Sequence, residues 1–235
     1  MTNIIKALAS LKKLDSGETV KVVHDVYPRP EATPKKAGLR MDKKLIWNLF
    51  KKHKPTDFII NDTNEQIIFT ILLYFLKDPS FNKYNIIKNQ AAHEKGLLIY
   101  GDYGVGKTEL FKILRNIGRD LSKFNCFDFW FPEISAGSFV DEYMASTSKM
   151  DTNFSLEKFY GGKLYIDDLG YERKAFNRDE ILGDILFERN RKGCKTFVTT
   201  NLTPTALSGK YGERIGDRLL EMFNIISWRG ESFRK

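Results

Sequence analysis

Cysteine is nearly absent from this chain. Its 235 residues hold two, Cys126 and Cys194, far apart in sequence, so neither a disulfide framework nor a paired-cysteine zinc site is available. Long apolar runs are missing as well. The longest, Ile67 to Leu76, is interrupted by Thr70 and falls well short of the ~20 residues a membrane-crossing helix requires. No secretory leader is expected, because Met1 to Leu14 is an amphipathic stretch dotted with Lys6, Lys12 and Lys13. No internal repeat or low-complexity tract is visible. Hydrophobic content of 42% and charged content of 29% are ordinary for a soluble globular protein, and the cytoplasm is the expected location. The length allows one α/β domain with a modest appendage.

An acidic surplus is also lacking, and the basic one is local. Residues 1–56 carry 13 Lys and Arg against 5 Asp and Glu, a net of +8, which is the charge of the whole chain. The remainder, with 38 − 13 = 25 basic and 30 − 5 = 25 acidic residues, nets zero. Such a surplus is either a solvated face or a surface for an acidic partner, nucleic acid or protein. Within this arm, Ile4, Ile5, Leu8 and Leu11 fall on one face of an N-terminal helix, which docks either on the protein's own core or on a partner. A linker with Pro28, Pro30 and Pro34 follows, then a short basic amphipathic helix over Lys44 to Lys54. The domain division is therefore 1–56 for the arm and 57–235 for the globular domain.

What is present centres on Gly101 to Thr108, G-D-Y-G-V-G-K-T, which fits the phosphate-loop pattern G-x-x-x-x-G-K-[ST]. Leu97 to Tyr100 before it read as a buried strand. After it, Leu110, Phe111, Leu114 and Ile117 lie at helical spacing, with Gly118 placed to end the helix. A triphosphate needs several donors aimed at one point. Glycines let the backbone approach closely, and a helix N-terminus adds free amides. Gly101, Asp102, Tyr103, Gly104, Val105, Gly106, Lys107, Thr108 and Glu109 are the expected ATP-contacting set. Lys107 reaches the β- and γ-phosphates in this reading, and Thr108 ligates Mg²⁺.

The rest of the chain alternates strands with helices. A helix is expected over Asn64 to Leu76, strands at Phe127–Phe131, Lys163–Ile166, Thr196–Thr199 and Ile225–Trp228, and helices opening at Ser138/Asp141, Asn177/Glu180, Thr203/Pro204 and Glu213. The implied fold is α/β, a P-loop NTPase core whose parallel sheet is buried on both faces by helices. Leu164 to Asp168 is an apolar strand ending in two carboxylates, the Walker B arrangement. Asp167 is assigned to the Mg²⁺ shell, and Asp168 to orienting or deprotonating the attacking water. Asn201, closing another strand, either contacts the γ-phosphate or water, or caps the turn before Pro204.

Together GDYGVGKTEL, LYIDDLGYE, the strand-end TTN, YGERIGDRL (Tyr211 to Leu219) and GESFR (Gly230 to Arg234) resemble the AAA+ ATPases of the DnaC/DnaI helicase-loader and IstB transposition-ATPase clade. The likeness covers roughly residues 57 to 235. It implies that Arg218 is an arginine finger entering a neighbouring copy's ATP site and that Arg234 is a sensor of bound nucleotide. The residue-level alternative for Arg214 and Arg218 is an exposed helix salt-bridged through Glu213, Asp217 and Glu221. Asp168 stands where many AAA+ proteins have Glu. No separate helical lid is expected after Arg234. The resemblance further implies an oligomeric, DNA-stimulated ATPase that delivers a replicative helicase to single-stranded DNA, or one that assists a transposase on duplex DNA. Phe139, Tyr143 and Lys149 are candidate DNA contacts.

Overall fold

The computed structural model describes residues 41–148 and 154–233. The arm up to residue 40, Lys149 and Arg234 lie outside them. The chain opens with α1 (Lys43–His53) and α2 (Asp62–Phe75), followed by β1 (Gly96–Gly101) and α3 (Lys107–Ser122). Then come β2 (Glu133–Ser135), α4 (Ala136–Ser148), a single 3₁₀ turn (Leu156–Phe159) and β3 (Leu164–Asp167). It closes with α5 (Ile181–Arg191), β4 (Thr196–Thr200), α6 (Pro204–Tyr211), α7 (Glu213–Met222) and β5 (Phe223–Trp228). The strands pair in the order β2-β3-β4-β1-β5, every pair parallel.

Side chains alternate across this sheet as the two-residue strand period demands. Leu97, Ile99, Tyr165, Phe197, Ile226 and Trp228 face a cluster built with α1, α2 and α3. Leu98, Leu164, Ile166, Val198, Phe223 and Ile225 face a second cluster built with α4 to α7. Burial on both faces follows from near-continuous apolar strands, since a parallel sheet needs crossover helices on each side. Arg189 of α5 is fully buried and donates to the carbonyls of Phe159, Gly161, Gly162 and Lys195 and to Thr196 Oγ1. It thereby fixes the turn that leads into β3. Burial pushes its guanidinium down to about 10. Among the described residues no helix is long and apolar enough to cross a membrane.

Several local expectations are corrected. Phe127–Phe131 is not a strand. Phe129 and Phe131 are buried, but Trp130 N donates to the Phe127 carbonyl in a turn, and Lys163 Nζ takes the Phe127 and Asp128 carbonyls. The ladder begins after Pro132, at Glu133 opposite Tyr165. Gly118 does not end α3, which runs on to Ser122. A Cβ there would lie 2.3 Å from the Phe129 carbonyl oxygen, so close helix–loop approach is what requires glycine. α4 starts at Ala136 directly from β2, two residues before Ser138, and Asp141 pairs with Arg173 at 2.9 Å. α5 starts only at Ile181, with Asn177 in the left-handed region at φ 62°. α2 begins earlier than read, through a reciprocal cap between Asn61 and Asn64.

The helix α1, grouped with the basic arm in the sequence reading, is seated on the globular core. Its Ile46 and Phe50 are fully buried, and Trp47 stacks on Phe50 and Phe69. Ion pairs hold both ends: Lys43 to Asp78 at 2.8 Å, and Lys52 to Asp120 at 2.7 Å.

Candidate functional site

The parallel order places the C-terminal ends of β1, β3 and β4 side by side, the edge where open α/β sheets bind ligands. The loop after β1 turns through Gly104 (φ 73°) and Gly106 (φ 101°) into the first turn of α3. Side-chain-bearing residues adopt those angles only with strain. Lys107 opens the helix and is 5% exposed. Its ammonium donates to the carbonyls of Gly101 (3.0 Å) and Asp102 (2.6 Å) and to Asn201 Oδ1 (2.7 Å). Asn201 therefore does not cap the turn before Pro204. Thr203 does so, accepting from Ala206 N at 3.2 Å, while Thr200 Oγ1 accepts from Leu202 N at 3.0 Å.

Thr108 Oγ1 donates to Asp167 Oδ1 at 2.8 Å, bringing together the two residues assigned to a metal. The same carboxylate oxygen accepts from Tyr165 OH (2.6 Å) and from Thr199 Oγ1. Sequence reading missed Tyr165, whose ring reads as one more strand apolar. Burial, together with the Asp167 charge beside it, raises its phenol well above the ordinary range, so it remains a donor at any working pH. Next to it, Asp168 takes the left-handed conformation (φ 53°) and lines the cleft.

That cleft has a volume of about 680 Å³ and runs from Lys107, Thr108, Asp168 and Asn201 to the rings of Phe58 and Phe233. Tyr103 and Glu109 lie on its wall. A second cleft of about 1090 Å³ flanks the loop on the Val105 side, between Ile59 and Asn64 and the segment Arg229–Phe233. This terminal segment crosses the phosphate loop and is pinned to it. Arg229 Nη1 and Gly230 N each reach the Asp102 carboxylate at 3.1 Å, and Phe233 N donates to the Gly104 carbonyl at 3.0 Å. Asp102 thus anchors the chain's own tail, a role that no linear motif reveals. Phe58 and Phe233 were also missed, since neither falls in a periodic apolar pattern.

Arg214 and Arg218 lie together on α7, over the ring of Phe187 at 3.6 and 5.3 Å. Arg218 Nη1 donates to the Arg214 carbonyl at 2.6 Å. Neither lines the two clefts, and among the described residues neither forms an ion pair, so the salt-bridged alternative does not hold. The DNA contacts proposed around α4 are revised: Phe139 is 3% exposed, and Tyr143 packs on Phe154 and Phe176.

The chain fits a magnesium nucleotide. The glycine angles leave room for phosphate, a buried cation stands at a helix N-terminus, and Thr108 and Asp167 supply adjacent hard oxygens. Those two would hold the ion, with phosphate and water completing its shell. Among the described residues no group of three or more His, Cys, Asp or Glu forms another metal site.

No protein-family profile matches the chain. It is 28% identical over 160 residues to the replicative helicase loader DnaI of Bacillus subtilis, a match covering 62% of this chain and 50% of the relative. The chain thus spans about half the length of the curated relative it matches. Among solved structures it is similar to the DnaC helicase loader, with TM-score 0.52 and 20% identity over 79% of this chain and 99% of that one. It is also similar to the replication initiator DnaA bound to AMPPCP and single-stranded DNA, with TM-score 0.50 and 17% identity over 77% of this chain and 50% of that one. The fold is the one these replication proteins share, and the chain is similar to the DnaI and DnaC helicase loaders.

Proposed function

We propose that the chain binds MgATP at the Gly101–Glu109 loop, hydrolyses it when assembled with further copies, and delivers a replicative helicase to single-stranded DNA. The observation that carries this is the junction of a buried Lys107 with a Thr108–Asp167 pair at the C-terminal edge of a parallel sheet. The likeness to DnaI supports the loader reading.

In this mechanism Lys107 exchanges Asn201 for phosphate oxygens, and the loop amides and the α3 N-terminus hold the remainder. Thr108 and Asp167 would hold a Mg²⁺ ion, which would supply charge neutralisation to the phosphates. Asp168 accepts a proton from, or orients, the attacking water, and Asn201 steadies it. Arg218 of a neighbouring copy stabilises the charge spreading over the transferred phosphoryl, because a planar guanidinium is permanently charged. Arg234, following the tail that crosses the loop, answers to the bound nucleotide. Hydrolysis then depends on assembly. The basic arm, residues 1–40, is assigned to partner capture.

Two measurements test this reading: equilibrium binding of a non-hydrolysable ATP analogue, and capture of the host's replicative helicase by the full chain. Saturable Mg²⁺-dependent binding with helicase retention is expected. An absence of nucleotide binding would overturn the site, and recovery of a transposase in place of a helicase would overturn the loader role.

A further inference from the structure

Glu172 is a charged residue that is 5% exposed, lines neither cleft and has no part in the mechanism above. It lies four residues beyond Asp168, in the loop leaving β3. Its Oε2 accepts from Gly170 N at 2.8 Å, and its Oε1 accepts from Tyr211 OH at the end of α6. Lys210 Nζ lies 3.5 Å from Oε1 and also donates to the Glu172 carbonyl at 2.8 Å. The same ammonium is 3.7 Å from Glu180 Oε2, just before α5. One carboxylate thus joins the Asp168 loop to α6.

This loop needs holding. Asp168 and Gly170 both have positive φ, 53° and 93°, so the backbone reverses sharply within three residues. Leu169 is fixed from β4: its N–H donates to the Thr199 carbonyl at 2.9 Å, and its carbonyl accepts from Thr200 Oγ1 at 2.6 Å. Gly170 is fixed from the far side by Glu172. Tyr171 between them points outward, 79% exposed, and lines the cleft. A well-packed apolar side chain at 172 would stabilise the fold as much as a buried ion pair, or more. It could not accept the Gly170 N–H and the Tyr211 O–H together, and those two bonds set the loop's direction.

We propose that Glu172, held by Tyr211 and Lys210, is a positioning residue that aims the Asp168 carboxylate at the phosphate loop. This rests on the ATPase reading. Loss of the Glu172–Tyr211 bond should lower the chemical step and leave nucleotide affinity alone, because neither residue reaches the nucleotide cleft.

The test uses the full chain with Tyr211→Phe, which keeps the ring against Gly183, and measures two quantities. These are affinity for a fluorescent ATP analogue and the single-turnover rate per bound nucleotide. Affinity is expected within about twofold of wild type and the rate about tenfold lower, as for other groups that orient a reacting residue. In an Asp168→Asn background the same substitution should cost nothing further, since effects transmitted through one residue are not additive. A wild-type rate for Tyr211→Phe, or an equal proportional loss with and without Asp168, overturns the proposal. If Tyr211→Phe does not fold, Glu172→Gln, of nearly the same volume, is read by the same measures. A wild-type chain without turnover overturns the ATPase reading and this inference with it. That outcome is distinct from a wild type that turns over and variants that match it.

Discussion

Lys107 Nζ lies 2.7 Å from Asn201 Oδ1, joining two loops that are 94 residues apart in the chain. They meet because β1 and β4 are hydrogen-bonded neighbours, with Tyr100 opposite Thr200 at the strand ends. The carbonyls of Gly101 and Asp102 hold the same ammonium from two further directions. Lys107→Ala is expected to weaken ATP affinity about 100-fold or more, roughly 2.7 kcal/mol, by isothermal titration. Wild-type affinity would dismiss the phosphate-loop assignment. Asn201→Ala should retain affinity and lose turnover.

Arg218 sits half-buried against Phe187 on the surface of α7, away from its own clefts. Arg218→Ala is expected to leave nucleotide binding intact and to lower the assembled ATPase by about 10³-fold or more, the scale of an arginine finger. Mixing this variant with Lys107→Ala chains should restore part of the rate, because a Lys107→Ala chain still lends its Arg218 to a neighbour whose Lys107 is intact. Turnover of Arg218→Ala equal to wild type would remove the finger from the mechanism.

Gly104 combines a φ of 73° with a tail laid against it: a Cβ there would stand 2.1 Å from Ser232 Oγ. Gly104→Ala should displace the Arg229–Phe233 segment and cost about 1–2 kcal/mol in backbone strain. The readouts are a lower melting temperature and weaker ATP binding with helical content retained. Unchanged values in both would show that the tail does not shape the loop.

Removing residues 1–56 takes α1, and with it the buried Phe50, out of the core. Removing 1–40 leaves α1 in place. The longer deletion should be clearly less stable, in keeping with the about 3–5 kcal/mol expected for Phe50→Ala alone, by urea denaturation. The shorter one should keep ATP binding and lose helicase capture. Equal stability of the two deletions would contradict the packing of α1.

Acid should loosen the same helix. Bonding first to Lys43 and then to Ser80 holds Asp78 down at about 2, against an ordinary 3.8. Bonding to Lys52 and then His53 holds Asp120 below the usual carboxylate range. A carboxyl with a depressed folded pKa contributes stability above its unfolded value and loses it as pH falls through the folded one. Stability should therefore drop between about pH 4 and pH 2, with Trp47 fluorescence reporting the release of α1. Asp78→Asn with Asp120→Asn should flatten that part of the profile; a profile unchanged by the pair would refute the attribution.

Much of this molecule was legible in its residues because local patterns and global burial agree. A strand, a glycine loop and an apolar helix stripe in that order leave few alternatives, and the two Asp after LYI fall at the sheet edge that the loop occupies. The pattern misleads where burial and backbone pairing part company. Phe127 to Phe131 alternates like a strand, but alternation reports which side chains are buried and says nothing of which backbone groups find a ladder partner. Gly118 reads as a helix stop, since the loop whose carbonyl presses on it lies eleven residues further along the chain.

By itself the sequence determined the alternation of strands and helices, the two-sided burial of the sheet and the glycine loop between β1 and α3. These rest on side-chain periodicity and on the few residue types that tolerate positive φ. Only the tertiary structure decided that Asn201 meets Lys107, that Asp102 holds the chain's own tail, that α1 belongs to the core and that Glu172 joins the Asp168 loop to α6. Each of those depends on which strands and helices lie side by side, a matter of long-range pairing that no local window of residues contains.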